Sequence, residues 1–376
     1  MKNKTTLNAY SIYFLIIVSF VAVRIISGFG LLSFMGPSGS YIMTAVVQIG
    51  ILFCLSVFAF SGFQNQKVKT TLKFYGYKKI SFKAVVIAII LGVIVYFLNI
   101  YVAAFFDNII GALGYHFSQP KKPESYPIYM LLINLIFTAV LPAVCEETVH
   151  RGMLQKSQSN LGSVKAVVIT ALLFGLLHLN IEQFFYATII GLFVGYLAVI
   201  CDSIYPAIII HFMNNALSVF AGFSSFHKLT FARVLSAILN FVNNGILGYL
   251  FLFLLFVLLA YVAFLLVRML FMETTGRTLM NLQKELYKEL AKNDYMAEVR
   301  DAKIKAEGGE IQDEKLNLEE LYIDKNIKMG LMTQLDSELL AQAGKYKLSA
   351  LEIAFLAACF FLTIGCTIVS FVLGVM

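Results

Sequence analysis

Apolar runs of about 20 residues recur along this chain, each long enough for a helix to cross a hydrocarbon core of ~30 Å. A segment in lipid must satisfy its own backbone hydrogen bonds, so only helices and closed barrels can span. Barrel strands are ~10 residues long and alternate in polarity, which these runs do not. With 59% hydrophobic residues in 376, a soluble domain is excluded. The expected fold is therefore an all-α polytopic membrane protein: a bundle of about nine transmembrane helices, with a polar helical cytoplasmic insert before the last helix. The spans read as 9–34, 41–62, 84–106, 128–150, 166–180, 183–201, 206–222, 240–270 and 350–374. They group into N-terminal helices (1–126), a core (127–222), a further helix (223–271), the charged insert (272–349) and a C-terminal helix (350–376). The first run follows Lys2 and Lys4, is long and has no small-residue cleavage site, so it reads as a retained span.

Lysines set the expected orientation. Lys67, Lys69, Lys73, Lys78, Lys79 and Lys83 crowd the second loop, and Arg151, Lys156 and Lys165 the fourth. The positive-inside rule then places those loops and the N-terminus in the cytoplasm. The net charge of +7 reads as topology and attraction to the lipid bilayer, with no nucleic-acid partner. The five cysteines, Cys54, Cys145, Cys201, Cys359 and Cys366, read as small buried hydrophobes and not as a disulfide framework. The insert is different in kind. Residues 272–348 hold 15 of the 22 acidic residues of the chain. Leu279, Leu282, Leu286 and Leu290 recur there at helical spacing, and Gly308 and Gly309 break the pattern. It reads either as a solvated helical hairpin or linker, or as a docking module for a cytoplasmic partner not identifiable from its residues.

Against this apolar background Glu146 and Glu147 stand out. They are two of only six acidic residues in the first 271 positions, and an ionisable group at membrane depth costs roughly 2.5–3.5 kcal/mol. Glu147 and Arg151 are four apart, share a helical face and can pair. Glu146 is rotated by about 100° from Glu147 and can face a cavity. Two carboxylates in a dry site tend to split their titration, which suits a general base. Phe174 and His178 form a second i, i+4 pair, and His211 and Asn215 a third. A lone histidine in an apolar helix is more often a packed core residue. His211 and Asn215 can both donate toward one point, as an oxyanion requires. Depth is awkward: His178 lies about 20 Å of helix past Lys165, but His211 only about 8 Å past Pro206.

These residues fall into an order. Glu146-Glu147-Thr148-Val149-His150-Arg151 matches EExxxR, Phe174-Gly175-Leu176-Leu177-His178 matches FxxxH, and His211-Phe212-Met213-Asn214-Asn215 matches HxxxN. In this order and spacing the chain resembles the CPBP family of intramembrane proteases, which includes type II CAAX prenyl endopeptidases and bacterial bacteriocin-immunity relatives. The resemblance covers about Ser125 to Phe220. It implies a catalytic set in which Glu146 activates water with help from His178, while His211 and Asn215 stabilise the oxyanion. Glu147, Arg151 and Phe174 would be structural or orienting. His150 stands where an aromatic is common and reads as an interfacial spacer. The family is often described as metalloproteases, and Glu146, His178 and His211 match a two-histidine, one-carboxylate zinc set. A metal-free glutamate–histidine pair is the alternative. No HExxH helix is present to favour zinc.

The expected function is an intramembrane endopeptidase acting on membrane-tethered or amphipathic peptides, in a cavity opening toward the cytoplasmic leaflet of, by resemblance, a bacterial cell membrane. No serine or cysteine is placed by a base in these motifs, so attack by water without an acyl intermediate is expected. Two other classes use the same residues: a catalytically idle immunity or regulatory scaffold, and a proton-coupled transporter with a Glu–His relay. A transporter would be expected to show inverted repeats, and none is visible in the sequence.

Overall fold

A computed structural model describes residues 3–29, 39–116, 124–242, 246–275 and 347–375. The expected helical character of the insert concerns residues that lie almost wholly outside this set. Among the described residues the protein is all helix and turn, with no strand. The helices are α1 (Asn3–Gly28), α2 (Gly39–Phe63), α3 (Val68–Phe74), α4 (Phe82–Ala112), α5 (Ile128–Gln155), α6 (Ser163–Leu177), α7 (Ile181–Ile200), α8 (Tyr205–Phe226), α9 (Thr230–Val242), α10 (Ile246–Thr275) and α11 (Ala350–Val375). Eight of these contain segments long and apolar enough to cross a membrane: α1, α2, α4, α5, α7, α8, α10 and α11. The chain is an integral multi-pass membrane protein.

One expected span differs from the rest. α6 has only 15 residues, about 22 Å of helix, which falls short of a ~30 Å core. It instead forms a tight hairpin with α7. The hairpin is close because Gly175 has no side chain: a Cβ there would meet Thr188 Oγ1 at 2.0 Å and the Phe184 carbonyl at 2.7 Å. The turn between the two helices puts Leu179 at φ 52°, and Asn180 caps α7 by accepting from the Glu182 amide at 2.8 Å.

Side-chain contacts sort the helix ends into two groups. At one end, Thr6 donates to the Ser157 carbonyl at 2.8 Å. There Lys156 meets Asp202 at 3.2 Å and Lys83 meets Glu273 at 3.2 Å. At the other end, Arg24 donates to the His178 carbonyl at 3.3 Å, Tyr115 to Glu182 at 3.0 Å and His227 Nε2 to the Tyr126 carbonyl at 2.7 Å. The loops around Lys67–Lys83 and Lys156–Lys165 thus share one end of the bundle.

Candidate active site

α5 carries the acidic pair into the middle of the bundle. Its stretch Thr148–Gln155 is wound with π-type turns, and all eight of those residues are buried. π-type turns are uncommon and often sit at functional sites. Glu147 and Arg151 are 0% and 1% exposed, with Oε2 and Nε 3.2 Å apart. That contact is ionic and lacks hydrogen-bond alignment. The guanidinium donates instead to the Gly191 carbonyl of α7 at 3.0 Å and lies 4.7 Å from the centre of the Phe174 ring. The second Glu147 oxygen, Oε1, is 2.8 Å from His211 Nδ1. A carboxylate only accepts, so Nδ1 donates and the other ring nitrogen faces away.

That nitrogen points at Glu146. His211 Nε2 and Glu146 Oε2 are 3.9 Å apart. The other Glu146 oxygen accepts from Gln48 Nε2 of α2 at 2.8 Å. Glu146, His178, His211 and Asn215 all line one cavity of about 540 Å³. His178 and His211 are brought together through Phe174, whose ring packs edge-on against His178 at 5.5 Å, His211 at 5.7 Å and His150 at 5.0 Å. Phe174 is the apolar centre around which the polar groups are set. His178 caps the end of α6, and among the described residues its imidazole is not hydrogen-bonded to Glu146. Asn215 accepts at Oδ1 from the Asn214 amide at 3.2 Å. Asn215 lines the cavity, and among the described residues its amide nitrogen has no hydrogen-bond partner.

Two expectations need correction. His150 is not an interfacial spacer: it is fully buried. Its Nδ1 donates to the Glu146 carbonyl at 2.7 Å, and Nε2 lies 3.3 Å from the Tyr13 hydroxyl of α1. The apolar surface of α1 covers the face of α5 that sequence spacing left open. Nor does the cavity open toward the lysine-rich end. Its lining runs from Glu146 through Asn99 and Ser218 to Ala103 and Gln183, toward the opposite end.

Among the described residues, no three or more His, Cys, Asp or Glu side chains are grouped to hold a metal ion. Glu146, His178 and His211 are not among such a group as placed. The contacts of His211 Nδ1 with Glu147 and of Glu146 Oε1 with Gln48 leave His211 Nε2 and Glu146 Oε2 for the cavity.

The whole set from Glu146 to Asn215 falls inside a recognisable segment. Residues 128–217 match the family model described as Type II CAAX prenyl endopeptidase Rce1-like. Over these residues the chain is similar to an Rce1-like domain. No curated protein and no solved structure matches the chain. Gln48 and Tyr13 lie outside the Rce1-like segment, on α2 and α1, yet they hold Glu146 and His150. Neither carried a signal in the sequence: each is an isolated polar residue in an apolar run.

Proposed function

We propose that this protein is an intramembrane endopeptidase in which Glu146 activates water. The observation that carries the reading is the convergence of Glu146 and His211 on one side of a cavity inside the Rce1-like segment. A water with contacts of about 2.8 Å to both Glu146 Oε2 and His211 Nε2 would see them at roughly a right angle, a geometry water accepts. Glu146 takes the proton of that water as it attacks the scissile carbonyl. Gln48 holds the other carboxylate oxygen, so the proton-accepting oxygen is the one facing the cavity. A protonated His211, with its charge balanced by Glu146 while Glu147 balances Arg151, donates from Nε2 to the developing oxyanion, and the Asn215 amide donates beside it. His178 completes the cavity wall, and Glu146 returns the proton it took from water to the leaving amine. The mixed polar and apolar lining suits a peptide segment that is membrane-tethered or amphipathic.

The reading is tested in cells by comparing membrane peptides from strains expressing the intact chain and its Glu146→Gln variant. New peptide termini that depend on Glu146 support it. Identical peptide profiles with equal protein levels contradict it and leave a binding scaffold.

A further inference from the structure

The cavity extends away from the lysines: its deepest residues, Glu146 and His211, lie nearer the lysine-rich end, and its wall runs from them toward the other end. Among the described residues, Lys67, Lys69, Lys73, Lys78, Lys79, Lys83, Lys156 and Lys165 gather at one end, and Arg24, Lys228 and Arg233 at the other. At ~1.5 Å per helical residue, His211 and Glu146 sit only about 9 and 13 Å from the lysine-rich end, counted from Tyr205 and Gln155. The rest of the cavity wall climbs away from them. Ser218 is about 20 Å from Tyr205, and Asn99 and Ala103 are about 25 and 31 Å from Phe82. Gln183 and Tyr186 belong to the far-end start of α7.

Below Glu146 the bundle is closed in layers. The first is Glu147–Arg151 with the guanidinium on Phe174. Next, Tyr77 donates to Thr148 at 2.5 Å. Burial pushes the Tyr77 phenol up to about 12, so this donor keeps its proton at neutral pH. Last, Gln155 donates to the Gly195 carbonyl at 2.9 Å. Gly152 packs directly on Tyr75, whose ring atoms lie within 3.0 Å of where a Cβ would be. These contacts fill the bundle between Glu146 and the lysine-rich end.

We propose that the site takes its peptide from the membrane face opposite the lysine-rich loops. Because lysine-rich loops stay in the cytoplasm, that face is the outer one. The substrates are then peptide segments displayed at or anchored in the outer leaflet, reaching inward to Glu146, and not cytoplasmic tails. The substrate class rests on the protease reading, whereas the direction of access does not.

Access is read by labelling. In a chain with the five native cysteines replaced by alanine, single cysteines are placed at the mouth (Ala103→Cys, Gln183→Cys) and at the lysine-rich end (Lys79→Cys). Intact cells are treated with a membrane-impermeant maleimide before and after permeabilisation. The expected result is labelling of both mouth positions in intact cells, with Lys79→Cys labelled only after permeabilisation. Mouth and lysine-rich positions labelled from the same side would overturn the proposal. So would a mouth labelled only from inside, or not labelled even after permeabilisation. Two mouth positions guard against one misfolded variant, and a thermal-shift measurement on each purified chain confirms folding. Adding Glu146→Gln should leave the labelling unchanged, so a failure of the protease reading and a failure of the access reading are told apart.

Discussion

Glu147 is shared between two partners: its Oε2 faces Arg151 Nε at 3.2 Å and its Oε1 accepts from His211 Nδ1 at 2.8 Å. One buried carboxylate thus neutralises an arginine on its own helix and orients a histidine on α8. Structure and chemistry are tied together at this residue, which makes the two effects separable by mutation.

Removing Arg151 should orphan a fully buried charge, at about 3–5 kcal/mol. Arg151→Ala is expected to give a lower melting temperature in detergent and poor yield. Adding Glu147→Ala should recover part of that stability, because neither charge is then unpaired. It should not recover activity, because His211 has lost its acceptor. Thermal-shift curves for both singles and the double check this, and losses that simply add would show that the two residues are uncoupled.

Gln48→Met keeps the length and removes the donor to Glu146. Hydrogen bonds to charged groups contribute about 1.5–3 kcal/mol, so kcat should fall roughly 10–100-fold with KM and melting temperature little changed. A parallel loss of stability would make Gln48 a packing residue only. The same assay applied to a Gln48→Ala chain should show the kcat loss together with some destabilisation from the cavity left behind.

The i, i+4 spacing on α5 made the Glu147–Arg151 contact legible, because helical geometry alone brings those positions together. The motif order likewise marked Glu146, His178, His211 and Asn215 as one set, and all four line one cavity. What spacing does not encode is contact between distant helices. Gln48 and Tyr13 reach α5 across 98 and 137 positions of sequence. His150 was misread for the same reason: from the sequence it shares a face with Glu146, but nothing local says that α1 covers that face. The direction of the cavity was misread because the burial of Thr148–Gln155 is a packing fact. A stretch containing His150, Arg151 and Gln155 looks like a water-facing helix end until α1, α2 and α7 are packed around it. α6 was read as a span from its apolar composition, but its 15 residues are too few to cross.

Asn215→Ala should lower kcat more than it raises KM. Loss of one preorganised oxyanion donor costs about 2.7–4 kcal/mol, or 10²–10³-fold in rate. Unchanged kcat with a raised KM would place Asn215 in ground-state binding.

Gly175→Ala should separate α6 from α7. The added methyl meets the Phe184 carbonyl at 2.7 Å as well as Thr188, and a backbone atom cannot swing away. Overpacking of this kind costs typically 1–3 kcal/mol. The expected signature is a lower melting temperature, together with reduced activity because His178 sits three residues beyond the clash. Pairing it with Thr188→Ala should restore only part, since the carbonyl contact remains. Full recovery in that double mutant would mean that the side chain alone sets the spacing.

The central claim is that Glu146 acts as the base. Purified wild-type and Glu146→Gln chains are compared in nanodiscs on a peptide cleaved by the wild type, measuring kcat and binding separately. The amide keeps the shape and the Gln48 contact region but cannot take a proton from water, and general-base catalysis contributes typically 10²–10⁴-fold. The account predicts a kcat reduced by at least about 10²-fold with peptide binding and melting temperature retained. Near wild-type turnover in Glu146→Gln would contradict it.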